Sequence, residues 1–261
     1  MSTSLAPSSD QVNLFHCLPV PRGSYSNVYE RQALRMVIIH NAFIRAFNSI
    51  LYYSAQIPIS NPKRINSFIR YCDVVNENLH MHHGIEEELY FSWLEERLGA
   101  GSMTCNVDGH HSFEAPFKAF EELVASIRDK KKTFVPVEFR TAIYEFMPPL
   151  IDHLKAEIET LRVDKVKHIP EKEVWKMEAD TDVKVQGHSN LTTSGQFWVM
   201  NGDGKYGAWF PPMPAPILFV CMNVTYYLNT DMWAFGACTK NRMIKPEFAA
   251  YEPELEPESS P

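Results

Sequence analysis

From residue 27, apolar residues recur at every third or fourth position through VYERQALRMVIIHNAFIRAFNSILYYSAQ, with no proline or glycine to interrupt them. That period marks an α-helix with a core-facing stripe. IPISNP breaks the run, and Asn61-Pro62 suits the start of a second helix. The second helix extends over 63–98 and stops at Gly99 in RLGAG. The spacing predicts a third helix over 104–130, where Lys130, Lys131 and Lys132 would complement the dipole of the last turn. A fourth is predicted over 137–163, kinked by Pro148 and Pro149. Four helices with short connections predict an all-α fold, an antiparallel up-down four-helix bundle over 27–165.

The flanks read differently. Residues 1–26 carry Ser, Pro and Gly without periodicity and are expected to form a flexible arm. Residues 166–250 hold four of the five tryptophans, many prolines and the turn-like NGDG at 201–204. They are expected to form an irregular aromatic and Pro-rich extension packing on the bundle. Within it, PAPILFVCMNVTYYL is compatible with either a short helix or a strand. Residues 251–261, ending in EPELEPESSP, read as an acidic disordered tail.

Composition narrows the functional classes. A chain of 261 residues with 45% hydrophobic content can bury a substantial core. Its net charge of −7 argues against nucleic acid as a partner. The most apolar run, PILFVCM, is far too short to span a membrane. The first residues, MSTSLAPSSD, lack a basic region followed by an apolar stretch. The five cysteines are odd in number and form no CxxC pair, as expected of reduced thiols. A cytoplasmic location is therefore expected.

The candidate chemistry lies in histidines and glutamates. LHMHHGIEEELYF packs three of each into the second helix. His40 lies in the middle of the first helix and His110 on the third; His82 is followed by Glu86, and His153 by Glu157. A four-residue step rotates only about 40° around a helix, so each His-x-x-x-Glu pair faces one direction. Counting residues to the connecting turns brings all four helices' candidates to a similar height. Interior imidazoles and carboxylates without partners are costly. A pair of iron or manganese ions would satisfy them, with carboxylates bridging and imidazoles capping.

The segments IIHNAFIRAFNSI, HHGIEEELYF, VDGHHSFEAPF and MPPLIDHLKAEIE resemble the hemerythrin-like, HHE cation-binding domain family of non-haem di-iron four-helix bundles. The resemblance covers about half the chain. HNAFIRAFNSI and HHGIEE are most similar to fungal members, which carry a comparable C-terminal extension. It implies His40, His82, Glu86, His110, His153 and Glu157 as ligands of two iron ions, with manganese as the other candidate. On the third helix its His-x-x-Phe pattern selects His110 with Phe113 rather than His111.

Three further positions stand beside that set. His83 lies about 100° from His82 but about 60° from Glu86, so it is a candidate ligand of the second metal or a hydrogen-bonding neighbour. His80 points away; Glu87 and Glu88 read as surface or supporting groups. Circulating hemerythrins place another histidine where this chain has Asn106, which would leave one metal less capped and make Asn106 the neighbour of an open position. They also space the fourth-helix pair by five residues rather than four. Glu114, four residues after His110, is a candidate extra carboxylate ligand. Fewer histidines and more carboxylate make a harder site, which favours oxygen activation over reversible carriage.

Two functions follow as expectations. One is an oxidoreductase that binds dioxygen or peroxide and acts on a small organic molecule. The other is an oxygen- or iron-binding sensor or storage protein without organic chemistry. The aromatic residues Trp198, Trp209, Phe210 and Trp233 would serve as a lid or pocket wall, or as a second small core. Should the extension supply metal ligands, His168 and His188 are the candidates.

Overall fold

Asn27 accepts hydrogen bonds from the Tyr29 and Glu30 amides and so caps the first helix, α1 (Val28–Ser54). In this computed structural model, which describes residues 12–202, 204–207 and 210–258, every residue of α1 from Gln32 to Leu51 is buried. Its buried residues include Arg35, His40, Asn41, Arg45 and Asn48, so it needs polar partners as well as apolar cover on its several faces. On the inner side α1 packs against α2 (Pro62–Ile85) and α5 (Pro136–Thr160); α4 (Thr104–Arg128) closes the ring between α2 and α5. This is the four-helix bundle expected. Both α4 and α5 continue as helices through their internal prolines, Pro116, Pro148 and Pro149. Away from the histidines the interior is aromatic, with Phe47, Phe117 and Phe120 all within ring contact of Phe146.

The second helix of the bundle is not uniform. Asn61 caps it through the Arg64 amide, and Pro62 opens it. At Glu86 it widens into a π-helical stretch, Glu86–Phe91, before resuming as α3 (Ser92–Leu98). Such wide turns concentrate at functional sites. Here it keeps Phe91 buried with Glu86 and Tyr90, whereas an α-helix would turn Phe91 about 140° from Glu86.

Two segments near the ends, within 12–20 and 252–256, dock on the bundle where disorder was expected. Phe15 and Leu18 pair their backbones with the side-chain amides of Asn48 and Asn41, which replace a neighbouring strand. Val20 exchanges backbone hydrogen bonds with Glu254 and Glu256. Arg45, fully buried, grips Glu252 through Nε at 2.7 Å and Nη2 at 2.8 Å, and Arg162 holds Glu256. The acidic residues at 252 and 256 are thus counter-charges to two bundle arginines rather than a solvated tail. The expectations of a flexible arm and a disordered tail are corrected for 12–26 and 251–258; their remaining residues lie outside the described ones.

The extension is more helical than its composition suggests. After the single turn α6 (Val163–Val166) comes α7 (Glu171–His188), which no clear apolar stripe announced: only Val174, Met177 and Glu178 are buried on it. The segment left open between helix and strand is helical, as α9 (Ala215–Val220), a π turn (Cys221–Thr225) and α10 (Tyr226–Leu228). α7 and α8 (Ser194–Asn201) lie across α1 and α2. Trp233 packs edge-on to Tyr71 at 6.2 Å. All five cysteines are free, and among the described residues no helix is long and apolar enough to cross a membrane.

Candidate metal centre

Two groups of ligand atoms meet inside the bundle. One ring nitrogen each from His83, His110 and His153 lie within 4.8 Å of one another, and the same holds for His40, His82 and a Glu86 oxygen. Ligands bound at about 2.1 Å sit roughly 3–4 Å apart around one ion, so each group can close on one. Glu86 spans the two: its Oε1 is 3.0 Å from His82 Nε2 and its Oε2 is 3.7 Å from His110 Nε2. Glu157 spans them again, with Oε2 3.2 Å from His40 Nε2 and 3.8 Å from His153 Nε2. Two three-membered groups joined by two carboxylates form an arrangement suited to two bridged cations.

The chemistry of the donors supports that reading. The Nε2 atoms of all five histidines and both oxygens of Glu86 and Glu157 are buried without a hydrogen-bond partner. Buried polar groups are nearly always paired. Nine such orphans converging on one interior point fit metal ions, which accept lone pairs and need no proton.

Neighbouring groups aim the rings. His40 Nδ1 donates to the Leu154 carbonyl at 3.1 Å, leaving Nε2 to face inward. His110 Nδ1 donates to Glu87 Oε1 at 2.5 Å with the same result. Gly109 makes room for the last imidazole: a methyl group there would come to 2.5 Å from His153 Nδ1. Nothing in helix periodicity marks this glycine; its requirement comes from the α4–α5 contact.

Burial governs the electrostatics. It pushes His82 down to about 4 and His153 down to about 3. It also drives His83 well below its ordinary value, with the neighbouring imidazoles adding to the effect. These three rings are therefore neutral and free to bind a cation. His110 goes up, because Glu86 and Glu87 together outweigh its burial. Burial and the nearby Glu157 raise the Glu86 carboxyl, while the His40, His153 and His82 imidazoles outweigh burial and lower Glu157.

The structure brings together His40, His82, Glu86, His110, His153 and Glu157, and adds His83 as a full member of a trio. It separates Glu114, which is exposed on the outer face of α4; the expectation of an extra carboxylate there is corrected. With five imidazoles and two carboxylates gathered, the site is not histidine-poor, and its hardness no longer argues for oxygen activation. Asn106 is buried; its amide nitrogen donates to Thr160 Oγ1 at 3.0 Å, its Oδ1 has no hydrogen-bond partner, and no hydrogen bond joins it to any of the seven. His80 faces outward to Glu121, while Glu88 pairs with Lys184 at the surface. His111, His168 and His188 are exposed.

A cavity of about 440 Å³ abuts the His40 trio. His82 and Glu86 form part of its wall, with Met36 and Ile39 of α1, Met81 and Ile85 of α2, and Trp198 and Phe210 of the extension. Its size falls within the range of small-molecule sites, roughly 300–1,000 Å³. Of the four aromatics considered for a lid, Trp198 and Phe210 line this cavity, Trp233 belongs to the packing against α2, and Trp209 lies outside the described residues.

Residues 35–162 match the family model described as the hemerythrin HHE cation binding domain, a span that takes in all seven gathered residues and most of the four bundle helices. No curated protein and no solved structure matches the chain.

Proposed function

We propose that this hemerythrin-type bundle is a non-haem di-iron oxidoreductase that uses dioxygen or peroxide on a small organic molecule. The observation that carries the reading is the cavity: its wall includes the ligand candidates His82 and Glu86. A carrier or sensor of a diatomic gas needs only a narrow channel, whereas 440 Å³ beside the centre accommodates an organic substrate.

The residues divide the work. His40, His82 and Glu86 would hold the ion beside the cavity, and His83, His110 and His153 the second, with Glu86 and Glu157 across both. Two bound iron ions would supply the redox capacity to reduce dioxygen or peroxide. Glu87 steadies His110 from the outside, and Leu154 steadies His40. Met36, Ile39, Ile85 and Trp198 present apolar surface to a substrate on that side.

The test is anaerobic loading with Fe(II), metal counting, and then exposure to oxygen under optical and Mössbauer observation. Two irons per chain and irreversible oxidation of the reduced site are expected. A persistent, reversible oxygen adduct would instead favour the carrier or sensor. Retention of manganese in preference to iron would replace the metal assigned.

A further inference from the structure

We propose that the cavity takes an uncharged, largely apolar organic molecule bearing a hydroxyl or carbonyl group, and rejects carboxylates, phosphate esters and amines of similar shape. This rests on the reading of the cavity as a substrate site and adds the chemical class.

The wall's charges neutralise one another. Besides Glu86, which belongs to the metal centre, the charged residues lining the cavity are Arg35, Glu178 and Asp182. Arg35 sits 3.1 Å from Glu178 and pairs directly with Asp182. Its guanidinium also lies over the Phe210 ring, 5.4 Å from the centroid. Glu178 is further held by Arg31 at 2.6 Å and faced by Gln32 Nε2 at 3.4 Å. The Arg35 charge is therefore already offset by two carboxylates, although its Nη1 makes no hydrogen bond and remains a donor for a neutral hydroxyl or carbonyl oxygen; a cation meets carboxylates already paired with arginines. Burying an uncompensated charge against such a wall is costly, whereas apolar surface is gained at no such expense.

The lining mixes apolar and uncharged polar groups. Met36, Ile39, Met81 and Ile85 line it, and so do Gln32, Asn78 and Tyr90. Asn78 Oδ1 is buried without a hydrogen-bond partner, while Gln186, Ser189 and Asn190 are exposed. These polar side chains are uncharged donors and acceptors. A ligand with an apolar body and a neutral polar group matches this lining.

The experiment uses the full-length, metal-loaded protein kept anaerobic, with three probes that share one ring system: 1-pyrenemethanol, 1-pyrenecarboxylate and 1-pyrenemethylamine. Binding is read by energy transfer from tryptophan and by probe anisotropy, and metal content is counted in the same samples. The alcohol is expected to bind at least about tenfold more tightly than either charged probe. Arg35→Met removes the shared cation and leaves Asp182 uncompensated, so the preference should shift towards the amine by about tenfold. Binding of the carboxylate or amine as tightly as the alcohol in the unmodified protein overturns the proposal. So does failure of all three to bind, or an Arg35→Met variant that retains its metals and shows no shift. A protein that prefers the alcohol but whose reduced site is not oxidised by oxygen would refute the oxidoreductase reading and leave the ligand class standing.

Discussion

Gly109 of α4 lies against His153 of α5 so closely that a methyl group at position 109 would stand 2.5 Å from Nδ1 of the imidazole. The glycine sits in mid-helix, where it costs roughly 1 kcal/mol relative to alanine. That local cost is offset by a ring placed where it reaches the interior. Gly109→Ala should therefore keep or raise the helix content while lowering the metal content below two per chain. Circular dichroism and metal analysis of the same preparation check both halves; full metal content in a folded variant would show that His153 tolerates the shift.

His83 should behave as a ligand. Its nitrogen shares a trio with His110 and His153, whereas His80, three residues earlier, faces Glu121 at the surface. His83→Ala and Glu86→Ala should each bring the metal content below two per chain, and His80→Ala should leave it unchanged. Metal titration of the three variants decides the matter, since equal behaviour of His80→Ala and His83→Ala would contradict the assignment of helix faces.

Glu87 acts through His110. Removing the carboxylate that receives Nδ1–H frees the ring to rotate or change tautomer. Glu87→Ala should weaken metal affinity by about 10- to 100-fold, the usual scale for such supporting groups, without changing saturation stoichiometry. Competition with a chelator of known affinity measures the difference. An unchanged affinity would reduce Glu87 to a surface neighbour.

The metal-free protein should lose stability in mild acid. His82 at about 4 and His153 at about 3 lie below the unfolded-chain value, as does His83. Below about pH 6.5 the unfolded chain takes up protons that the folded chain refuses, so stability falls as pH falls. Glu86, whose carboxyl is raised, works in the opposite sense: folded, it holds a proton that the unfolded chain has released above about pH 4.3. Raised His110 opposes the three lowered imidazoles too, but only around and above about pH 6.5; below about pH 6 one carboxyl opposes three imidazoles, so the net slope there is set by the lowered histidines. Glu157, lowered, adds its own loss only below about pH 4.3. Thermal melts of chelator-treated protein should give a Tm that drops between about pH 6.5 and 4.5, and His82→Phe should flatten that drop. A Tm that rises on acidification would reverse the balance.

The bundle was legible in the sequence because its determinants are local. A 3.6-residue period, Asn61 before Pro62 and a stop at Gly99 need no distant partner to be read. The same period aligns His82 with Glu86 and His153 with Glu157, since a four-residue step preserves direction within one helix. Periodicity sets relative angles within a helix, however, and leaves its absolute rotation against its neighbours open. Packing decided that His83 turns inward with His110 and His153, that Glu114 turns out, and that Asn106 spends its amide on Thr160. The need for glycine at 109 is likewise a property of two helices in contact. Arg45 and Glu252, 207 residues apart, tie down a segment whose composition alone suggests disorder. The cavity is the most non-local feature of all: its wall joins α1 and α2 to side chains between Glu178 and Ile217, and its neutrality depends on α7 laying Glu178 and Asp182 against Arg35. Sequence by itself determined the four bundle helices and six of the seven candidate donors that meet between them. Only the tertiary structure decided how those donors divide into two groups and what lies beside them, because both depend on contacts between elements far apart in the chain.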